Sequence, residues 1–500
     1  MSGGSKAASA KIVATDPFAG RSAKIGKNAR MKATRRQWLL AAAGTCAMSA
    51  SRRGGAQVAA IAPESFGARG DGVTDDTAAF AAMAALVNAR GGGEIILRRT
   101  TYLVGGQHRQ PGGEYAFEPA KIMEFLGCTG PLVIRGNGAR LLCQAGLRYG
   151  TFHPVTGRPT RNPMPYTKPG ELASPYRSMI RVENCSGLVD IRDLELDGNV
   201  GRLLIGGQYG DAGWQIGTTG IELVNNSGPE RLSRIHSHHH ALDGLIINGL
   251  DSRAAVSTVD DVVTEYNGRQ GCSIVGGRGY SFTRCKFRNT GKVPVSSPPG
   301  AGVDIESEAG KHVGDLRFAD CEFSNNSGAG LTADSGPSEG ALFERCTFIG
   351  TTSWAAWPNK PRMRFIGCNF VGPIVHAFGD PDPERACQFH DCTFRDDPAL
   401  SPTGQVYGGA NLSRPIADLP DNPNVLFNRC RFLLTHDAVL PWTTNVVIFA
   451  DCVLSQRAPA QSYPRGTFIG RNVLTGNIEL YSARIHGEVI FNGRRLPPAD

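Results

Sequence analysis

The sequence is poor in charged and aromatic residues and has no hydrophobic run long enough to cross a membrane. Charged residues make up 20% and aromatic residues 8% of the 500 residues. The apolar stretch from Trp38 to Ala50 falls well short of the ~20 residues that a membrane span needs. We therefore expect no stable membrane insertion. An apolar content of 41% with so little charge excludes an intrinsically disordered chain.

The sequence also lacks a basic surface outside its first residues. Eleven of the 53 basic residues and one of the 45 acidic residues fall in residues 1–60, so the net charge of +8 is concentrated there. The rest of the chain is close to neutral. Nucleic-acid binding requires clustered positive charge on the folded domain, so we expect no nucleic-acid partner.

The 13 cysteines lack metal-binding spacing, since no Cys-x-x-Cys pair occurs. This excludes the usual zinc and iron–sulfur motifs. Because 13 is odd, at least one thiol is free even if all the others are paired.

The first residues carry an export motif. Arg35 and Arg36 precede a short, weakly apolar segment that ends near Ala50. This pattern is typical of a twin-arginine signal, which directs folded proteins across the bacterial inner membrane. We therefore expect residues 1–56 to be a disordered N-terminus with a signal peptide, residues 60–497 to be the folded domain, and the protein to be periplasmic or secreted.

A short pattern, Phe-x-x-Cys-x-Phe, repeats through the second half of the chain. Its cysteines are separated by 22 to 38 residues and are Cys285, Cys321, Cys346, Cys368, Cys392, Cys430 and Cys452, the last followed by Leu454 instead of Phe. A period in the low twenties indicates a solenoid. Because Cys and the next Phe are two residues apart, both side chains face the same side of a strand. The sequence predicts an all-β parallel β-helix, with cysteine and phenylalanine stacked inside.

A second series begins at glycine and alternates apolar and polar residues. Its glycines are Gly220, Gly244, Gly271, Gly302 and Gly330. If the apolar residues point inward, the side chains that point outward are those of Glu222, Asp304, Glu306, Thr332 and Asp334. The series predicts a column of polar side chains on one surface.

The folded domain opens with an apparent helix. We expect Thr74 to be its N-cap, Asp75 and Asp76 to favour its positive end, and Gly91 to end it. A helix there would cover the open first coil of the solenoid.

The segment from Phe66 to Tyr102, FGARGDGVTDDTAAF followed by a helix and a TYLV strand, resembles the start of the pectate-lyase superfamily domain of rhamnogalacturonase-like and epimerase-like proteins. This resemblance implies a single-stranded, right-handed parallel β-helix acting on polysaccharide. It does not choose among hydrolase, lyase and epimerase, since all three occur on this scaffold.

Three acids form the first candidate active site. Asp304 and Glu306 lie two residues apart on one face, about 6.6 Å between Cα atoms, and Asp334 falls one coil away. Glycoside hydrolysis uses two carboxyl groups about 5–9.5 Å apart. We expect the acid and base to come from these three residues, and Asp243 is a further catalytic candidate.

Histidines and cations supply alternatives. Among His236, His238, His239 and His240, alternation places His238 and His240 on one face near the acids, where they could bind a uronate, transfer protons or ligate a metal. Lyase chemistry would instead use Arg269, Lys311 or the histidines, with the acids holding Ca²⁺. No other cofactor is expected.

We assign His240 and Arg269 to the catalytic candidates. The substrate-binding candidates are His238, Glu222, Asn248, Gln270, Lys311, Tyr209 and Trp214, with Trp354 and Trp357 as further stacking platforms.

The resulting hypothesis is an exported enzyme that cleaves a polysaccharide, with an acidic polymer as the expected substrate. Hydrolysis is favoured because acids outnumber cations on the polar column. Lyase, C5-epimerase and non-catalytic glycan-binding or adhesin-like functions stay open, as does a homo-oligomeric state.

Overall fold

The computed structural model describes residues 60–161, 173–175, 177–207, 217–251, 256–308, 310–419, 422–443, 446–480 and 483–497. The expected signal peptide, Tyr209 and Trp214 lie outside these ranges. Among the described residues, no helix has the length and apolar character of a membrane span.

The domain is a right-handed parallel β-helix. The repeats predicted the parallel β-helix, and the family resemblance implied its right-handed form. Sheet I carries one strand from each of eleven coils: Met123–Leu126, Ile180–Glu183, Thr219–Val224, Asp243–Asn248, Gln270–Arg278, Val303–Ile305, Leu331–Ala333, Ala356–Pro358, Ile374–Val375, Ala417–Leu419 and Trp442–Thr443. The end of Gln270–Arg278 also pairs with sheet II.

Sheet II wraps the rest of each coil. Its strands are Gly93–Ile96, Thr101–Val104, Leu132–Cys143, Val189–Asp197, Glu230–His238, Ser257–Glu265, Tyr280–Thr283, Lys286–Arg288, Val313–Ala319, Glu322–Ser324, Ser338–Glu344, Thr347–Ile349, Arg364–Ile366, Asn369–Val371, Gln388–His390, Thr393–Arg395, Leu426–Asn428, Arg431–Leu434, Val447–Ala450, Val453–Gln456, Gly466–Thr475, Arg484–Phe491 and Arg494–Leu496. Small side sheets contain Gln107–His108 with Glu118–Pro119, and Arg148–Thr151 with Ala173–Ser174 and Leu204–Gly206. The 3-10 turns are Pro63–Phe66, Val200–Arg202 and Pro398–Leu400.

An α-helix, Thr77–Arg90, packs at the N-terminal end of the solenoid. Phe80 and Val87 are fully buried, and Gly91 ends the helix in the left-handed conformation, as expected. The expected N-cap at Thr74 is wrong. Asp76 occupies that position, because the Thr74 N–H and hydroxyl instead donate to Asp71, whose carboxylate fixes a turn before the helix.

The register of sheet I follows the glycine series. Aligned inward positions in successive coils are Ile221, Leu245, Cys272, Val303, Leu331 and Ala356. One residue later, the outward positions are Glu222, Ile246, Ser273, Asp304, Thr332 and Trp357. The predicted polar column therefore exists at Glu222, Asp304 and Thr332, but it also contains Ile246 and Trp357, and Asp304 is only 3% exposed.

Two columns of phenylalanine fill the interior. One contains Phe282, Phe318, Phe343, Phe365, Phe389, Phe427, Phe449 and Phe468, with neighbouring rings stacked at centroid distances from 4.4 to 5.4 Å. The other contains Phe287, Phe323, Phe348, Phe370, Phe394 and Phe432. The cysteines between them are buried and free of disulfides. Several thiols donate to a phenylalanine carbonyl of the preceding coil, for example Cys452 to Phe427 at 3.2 Å.

One corner of sheet II has a left-handed residue in each coil. This corner column contains Asp193, Arg234, Asp261, Arg284, Asp320, Arg345, Gly367, Asp391, Arg429, Asp451 and Gly470, with φ between 51° and 67°. Aspartate and arginine alternate along it. Arg345 binds Asp320 and Arg429 binds Asp391, both at 2.7 Å. These exposed pairs lie where each chain bend already carries backbone strain.

The phenylalanine columns make a testable contribution to stability. Phe365 is fully buried between Phe343 at 4.7 Å and Phe389 at 4.9 Å. We expect Phe365→Ala to lower the free energy of unfolding by about 3–5 kcal/mol, because it removes ring contacts and leaves a cavity. Its neighbour Ile366 is 40% exposed, so Ile366→Ala should cost less than about 1 kcal/mol. Urea denaturation followed by circular dichroism measures both, and equal losses would contradict a stabilising column.

Candidate active site

The outward face of sheet I forms one wall of a cleft of about 290 Å³. Its lining consists of Arg269, Pro298, Pro299, Asp304, Glu306, Gly328, Ala329, Thr332, Asp334, Ser335, Ser353, Trp354 and Trp357. The cleft therefore joins consecutive coils. The three acids predicted from the sequence all line it.

Asp304 is the most buried acid of the cleft. The Gln270 side-chain amide donates to Asp304 Oδ2 at 2.7 Å, while the Gln270 carbonyl oxygen accepts the Ala301 N–H at 2.9 Å. Asp304 Oδ1 is buried and has no hydrogen-bond partner among the described residues. Burial raises the pKa of Asp304 well above its usual range, and the neighbouring Glu306 carboxylate raises it further. Burial therefore favours the protonated form of this carboxyl group.

Arg269 lies between two carboxylates. Its guanidinium is 3.4 Å from Asp243 Oδ2 and 3.9 Å from Glu306 Oε2. Asp243 Oδ2 also accepts the Ser273 hydroxyl at 2.8 Å. Burial raises the pKa of Asp243 to about 6 even though Arg269 opposes the shift. Asp243 does not line the cleft. It lies behind the lining residues, where it contacts Arg269 and Ser273.

Glu306 and Asp334 form the more accessible part of the acidic group. The Glu306 side chain is 33% exposed, and Asp334 is exposed. Partial burial raises the pKa of Glu306, while Arg269 acts in the opposite direction. Lys360 interacts electrostatically with both acids, and its ammonium donates to the Gly336 carbonyl at 2.8 Å. The acids of the cleft thus interact with two cations, Arg269 and Lys360.

Two tryptophans line the cleft together with the acids. Trp354 and Trp357 pack edge to face with ring centroids 5.5 Å apart. Trp357 follows Asp304 and Thr332 in the outward column, so its position is fixed by the strand register. An aromatic face beside carboxylates is a common arrangement where a ligand presents both apolar and polar surfaces.

Several expected substrate-binding residues lie elsewhere. Lys311 and Asn248 contact each other, and the Lys311 ammonium also donates to Asn225 Oδ1 at 2.6 Å. Glu222 binds Arg181 and accepts the Ser178 hydroxyl at 3.1 Å. These side chains are engaged with neighbouring coils and do not line the cleft. Gln270 does not line it either, but orients Asp304.

The expected position of the histidines beside the acids is not found. The strand Glu230–His238 belongs to sheet II, whereas the acids lie on sheet I. His238 faces Glu195 and Asp197, and His240 is fully buried past the end of the strand. Burial lowers the pKa of His240 to about 3.

Sequence reasoning missed two residues of this region, Lys360 and Ser273. Ser273 is already in the glycine series, where its small hydroxyl gave no chemical signal. Lys360 was recoverable by extending that series one coil, because Leu331 pairs with Ala356 and Ala333 with Pro358. The next residues after that strand approach the coil that carries Asp334.

No family model and no curated protein matches the chain. Among solved structures, the A-module of a mannuronan C-5 epimerase from Azotobacter vinelandii is 16% identical, with a TM-score of 0.42 over 86% of this chain and 99% of the other. A tailspike of an Acinetobacter baumannii bacteriophage, a capsular polysaccharide depolymerase, is 12% identical, with a TM-score of 0.35 over 79% of this chain and 59% of the other. A pectate lyase is 12% identical, with a TM-score of 0.30 over 69% and 70%. The case for function rests on the cleft alone.

The raised pKa of Asp243 predicts how stability depends on pH. The neutral carboxyl stabilises the fold fully below the ordinary pKa of 3.8, and this contribution is lost as pH rises through about 6. In the Asp243→Asn variant this side chain is neutral at every pH, so the variant should keep the stabilising contribution. We expect the stability of the variant relative to wild type to increase between pH 4 and pH 7, by on the order of a few kcal/mol.

Thermal melting of both proteins across this range measures the effect. Asp437→Asn is the control, because the Asp437 side chain is 80% exposed and lies outside the cleft. A pH-independent difference between Asp243→Asn and wild type would show that Asp243 is ionised in the native protein throughout the range.

Proposed function

We propose that the protein is an enzyme that hydrolyses glycosidic bonds of a polysaccharide in the cleft of sheet I. The observation that carries this proposal is the pairing of Asp304, buried and favouring its protonated form, with the more accessible Glu306 and Asp334. Hydrolysis of a glycoside needs one carboxyl group that donates a proton and a second that is ionised.

Asp304 is the proton donor in this scheme. Gln270 donates to Oδ2, so the carboxyl proton belongs on Oδ1, the buried oxygen that has no partner among the described residues. In this scheme the carboxyl group turns Oδ1 toward the cleft when the substrate binds. Transfer of this proton to the glycosidic oxygen compensates the charge that develops on the leaving group as its bond to the anomeric carbon breaks. Burial supplies the raised pKa that a donor needs near neutral pH.

Glu306 is the ionised partner. It stands two residues after Asp304 on the same outward face, and Arg269 opposes the rise in its pKa that partial burial causes. Glu306 accepts a proton from the water whose oxygen bonds to the anomeric carbon. The products are two shorter chains, one of them with a new reducing end. Glu306 then releases its proton to solvent, and Asp304 takes one up from solvent. Asp334 contributes negative charge that stabilises the oxocarbenium-like transition state.

An acidic polysaccharide suits this cleft best. Arg269 and Lys360 border the acids and can each neutralise a carboxylate of the substrate. Trp354 and Trp357 offer flat apolar surface to the sugar rings. Such polymers lie outside the cell, so the proposal includes export through the twin-arginine signal expected at the N-terminus.

Lyase or epimerase chemistry is the second candidate, favoured by the position of Arg269. Both reactions begin with removal of the proton next to a uronate carboxylate, which a cation must neutralise. For a lyase, we expected from the sequence that the acids would bind a supporting Ca²⁺ ion. Ca²⁺ takes six to eight oxygen ligands, whereas the guanidinium of Arg269 already lies between Asp243 and Glu306. The cleft therefore fits Ca²⁺ poorly.

A polysaccharide panel tests the reaction class. Purified protein is incubated with acidic and neutral polymers, and reducing ends, ultraviolet absorbance of unsaturated uronate and the C5 configuration are followed. We expect new reducing ends without unsaturated product. Unsaturated product would establish a lyase, altered configuration without cleavage an epimerase, and binding without any product a glycan-binding protein. Each of these three outcomes would overturn hydrolysis.

Single substitutions test the assigned roles. Asp304→Asn and Glu306→Gln should each lower turnover at least about a hundredfold, since each removes one of the two proton transfers. Both changes keep side-chain size, and circular dichroism checks the fold. Glu339→Gln is the control, because Glu339 pairs with Arg362 on sheet II and does not line the cleft. Full activity in both cleft variants would remove this site from consideration.

A further inference from the structure

A second cluster of chemically active side chains lies on sheet II, apart from the cleft lining. This histidine cluster consists of Asp197, His238 and His239. One oxygen or nitrogen of each lies within 4.8 Å of those of the other two. His238 Nδ1 is 2.6 Å from His239 Nδ1 and 3.8 Å from Asp197 Oδ1. Two imidazole nitrogens and a carboxylate oxygen therefore converge on one point.

We propose that the histidine cluster is a binding site for a zinc ion. Zn–N bonds of 2.0–2.1 Å in tetrahedral geometry place two ligand nitrogens about 3.3 Å apart. The observed separations lie on both sides of this value, so small rotations of the rings suffice to admit the ion. Two nitrogen ligands and one oxygen ligand favour Zn²⁺ over Ca²⁺ or Mg²⁺, which prefer oxygen alone.

The side chains around the cluster hold its ligands in place. The Asn199 backbone N–H donates to Asp197 Oδ1 at 2.8 Å, and Arg140 binds the other oxygen, Oδ2. On the opposite edge of the His238 ring, Nε2 is 3.3 Å from Glu195 Oε1. A carboxylate on the second nitrogen of a ligating histidine is the usual support for a zinc ligand, since it fixes the tautomer and orients the ring.

His239 lies at a bend that the solenoid repeats from coil to coil. His239 has a φ of 56°, a left-handed conformation that Tyr266, the equivalent residue of the next coil, shares with a φ of 52°. Its ring stacks on Tyr266 with centroids 5.2 Å apart and an angle of 15°. The bend brings the imidazole of His239 back toward His238, although the two residues are adjacent in sequence.

The cluster also joins two coils. Asp197 and His238 are direct partners in the register of neighbouring strands, Val189–Asp197 and Glu230–His238. A zinc ion bound to both would connect these coils and should stabilise the fold. A water molecule would complete the tetrahedron on the side of His239, which is the least buried of the three.

Metal binding by protein without an affinity tag tests the proposal. Protein is loaded with Zn²⁺, or with Co²⁺ as a spectroscopic probe, and separated from free metal by gel filtration. We expect about one metal ion per chain, a visible Co²⁺ spectrum of a tetrahedral site without the thiolate charge-transfer band, and a higher melting temperature with Zn²⁺. A thiolate band would assign the ion to cysteine and overturn the proposal.

The decisive variant is His239→Asn, because asparagine tolerates the left-handed backbone but removes the imidazole ligand. We expect it to weaken Zn²⁺ binding at least tenfold while the far-ultraviolet circular dichroism is unchanged. The matched control is His436→Asn, which removes an exposed histidine 4.0 Å from Asp396 and should bind Zn²⁺ as wild type does. Absence of metal from the wild type, or equal binding by His239→Asn, would mean that the cluster is a hydrogen-bond network only. Metal content is measured without substrate, so the result is independent of hydrolysis in the cleft.

Discussion

Each coil of this protein forms its strand hydrogen bonds with the coils before and after it, because it has no other partner for its backbone. Parallel pairing in register follows, and equivalent residues are forced into columns about 4.8 Å apart. Inside, this places phenylalanine on phenylalanine and cysteine beside the carbonyl of the preceding coil. Outside, it places unlike side chains next to each other wherever the sequence of one coil departs from the next.

The candidate active site arises where unlike side chains of successive coils lie next to each other on the outer face. Ser273, Asp304, Thr332 and Trp357 are successive members of one outward column. None would be notable alone. The stacking of successive coils brings a buried acid, its polar neighbours and an aromatic side chain together. No long loop has to close to form this group. The strand backbone also keeps Asp304 buried, and burial raises the pKa of its carboxyl group. On a flexible loop the same carboxylate could move into solvent, and its pKa would not be raised.

The sequence correctly predicted the features that follow from the spacing of the repeats. It did not predict the features that depend on the surroundings of an individual side chain. The coil register and the buried Cys and Phe columns follow from spacing, so the alignment of Leu245 with Cys272 was recoverable. The N-cap at Thr74 was wrong, because a nearby carboxylate competes for that residue. Lys311 was a candidate for the cleft, but a longer turn carries its side chain to Asn248.

The corner column of sheet II has a consequence for how such a chain can lengthen. From Asp193 to Arg345, aspartate and arginine alternate at a bend where each side chain has its neighbours one coil above and below. Duplicating one coil would set two like charges side by side at a strained bend, whereas duplicating two would preserve the alternation. Gly367 and Gly470 are neutral and take the same φ without strain. From Asp193 to Arg345, insertion of a pair of coils is therefore the change in length that keeps neighbouring charges opposite, and a glycine at the bend allows either charge to follow.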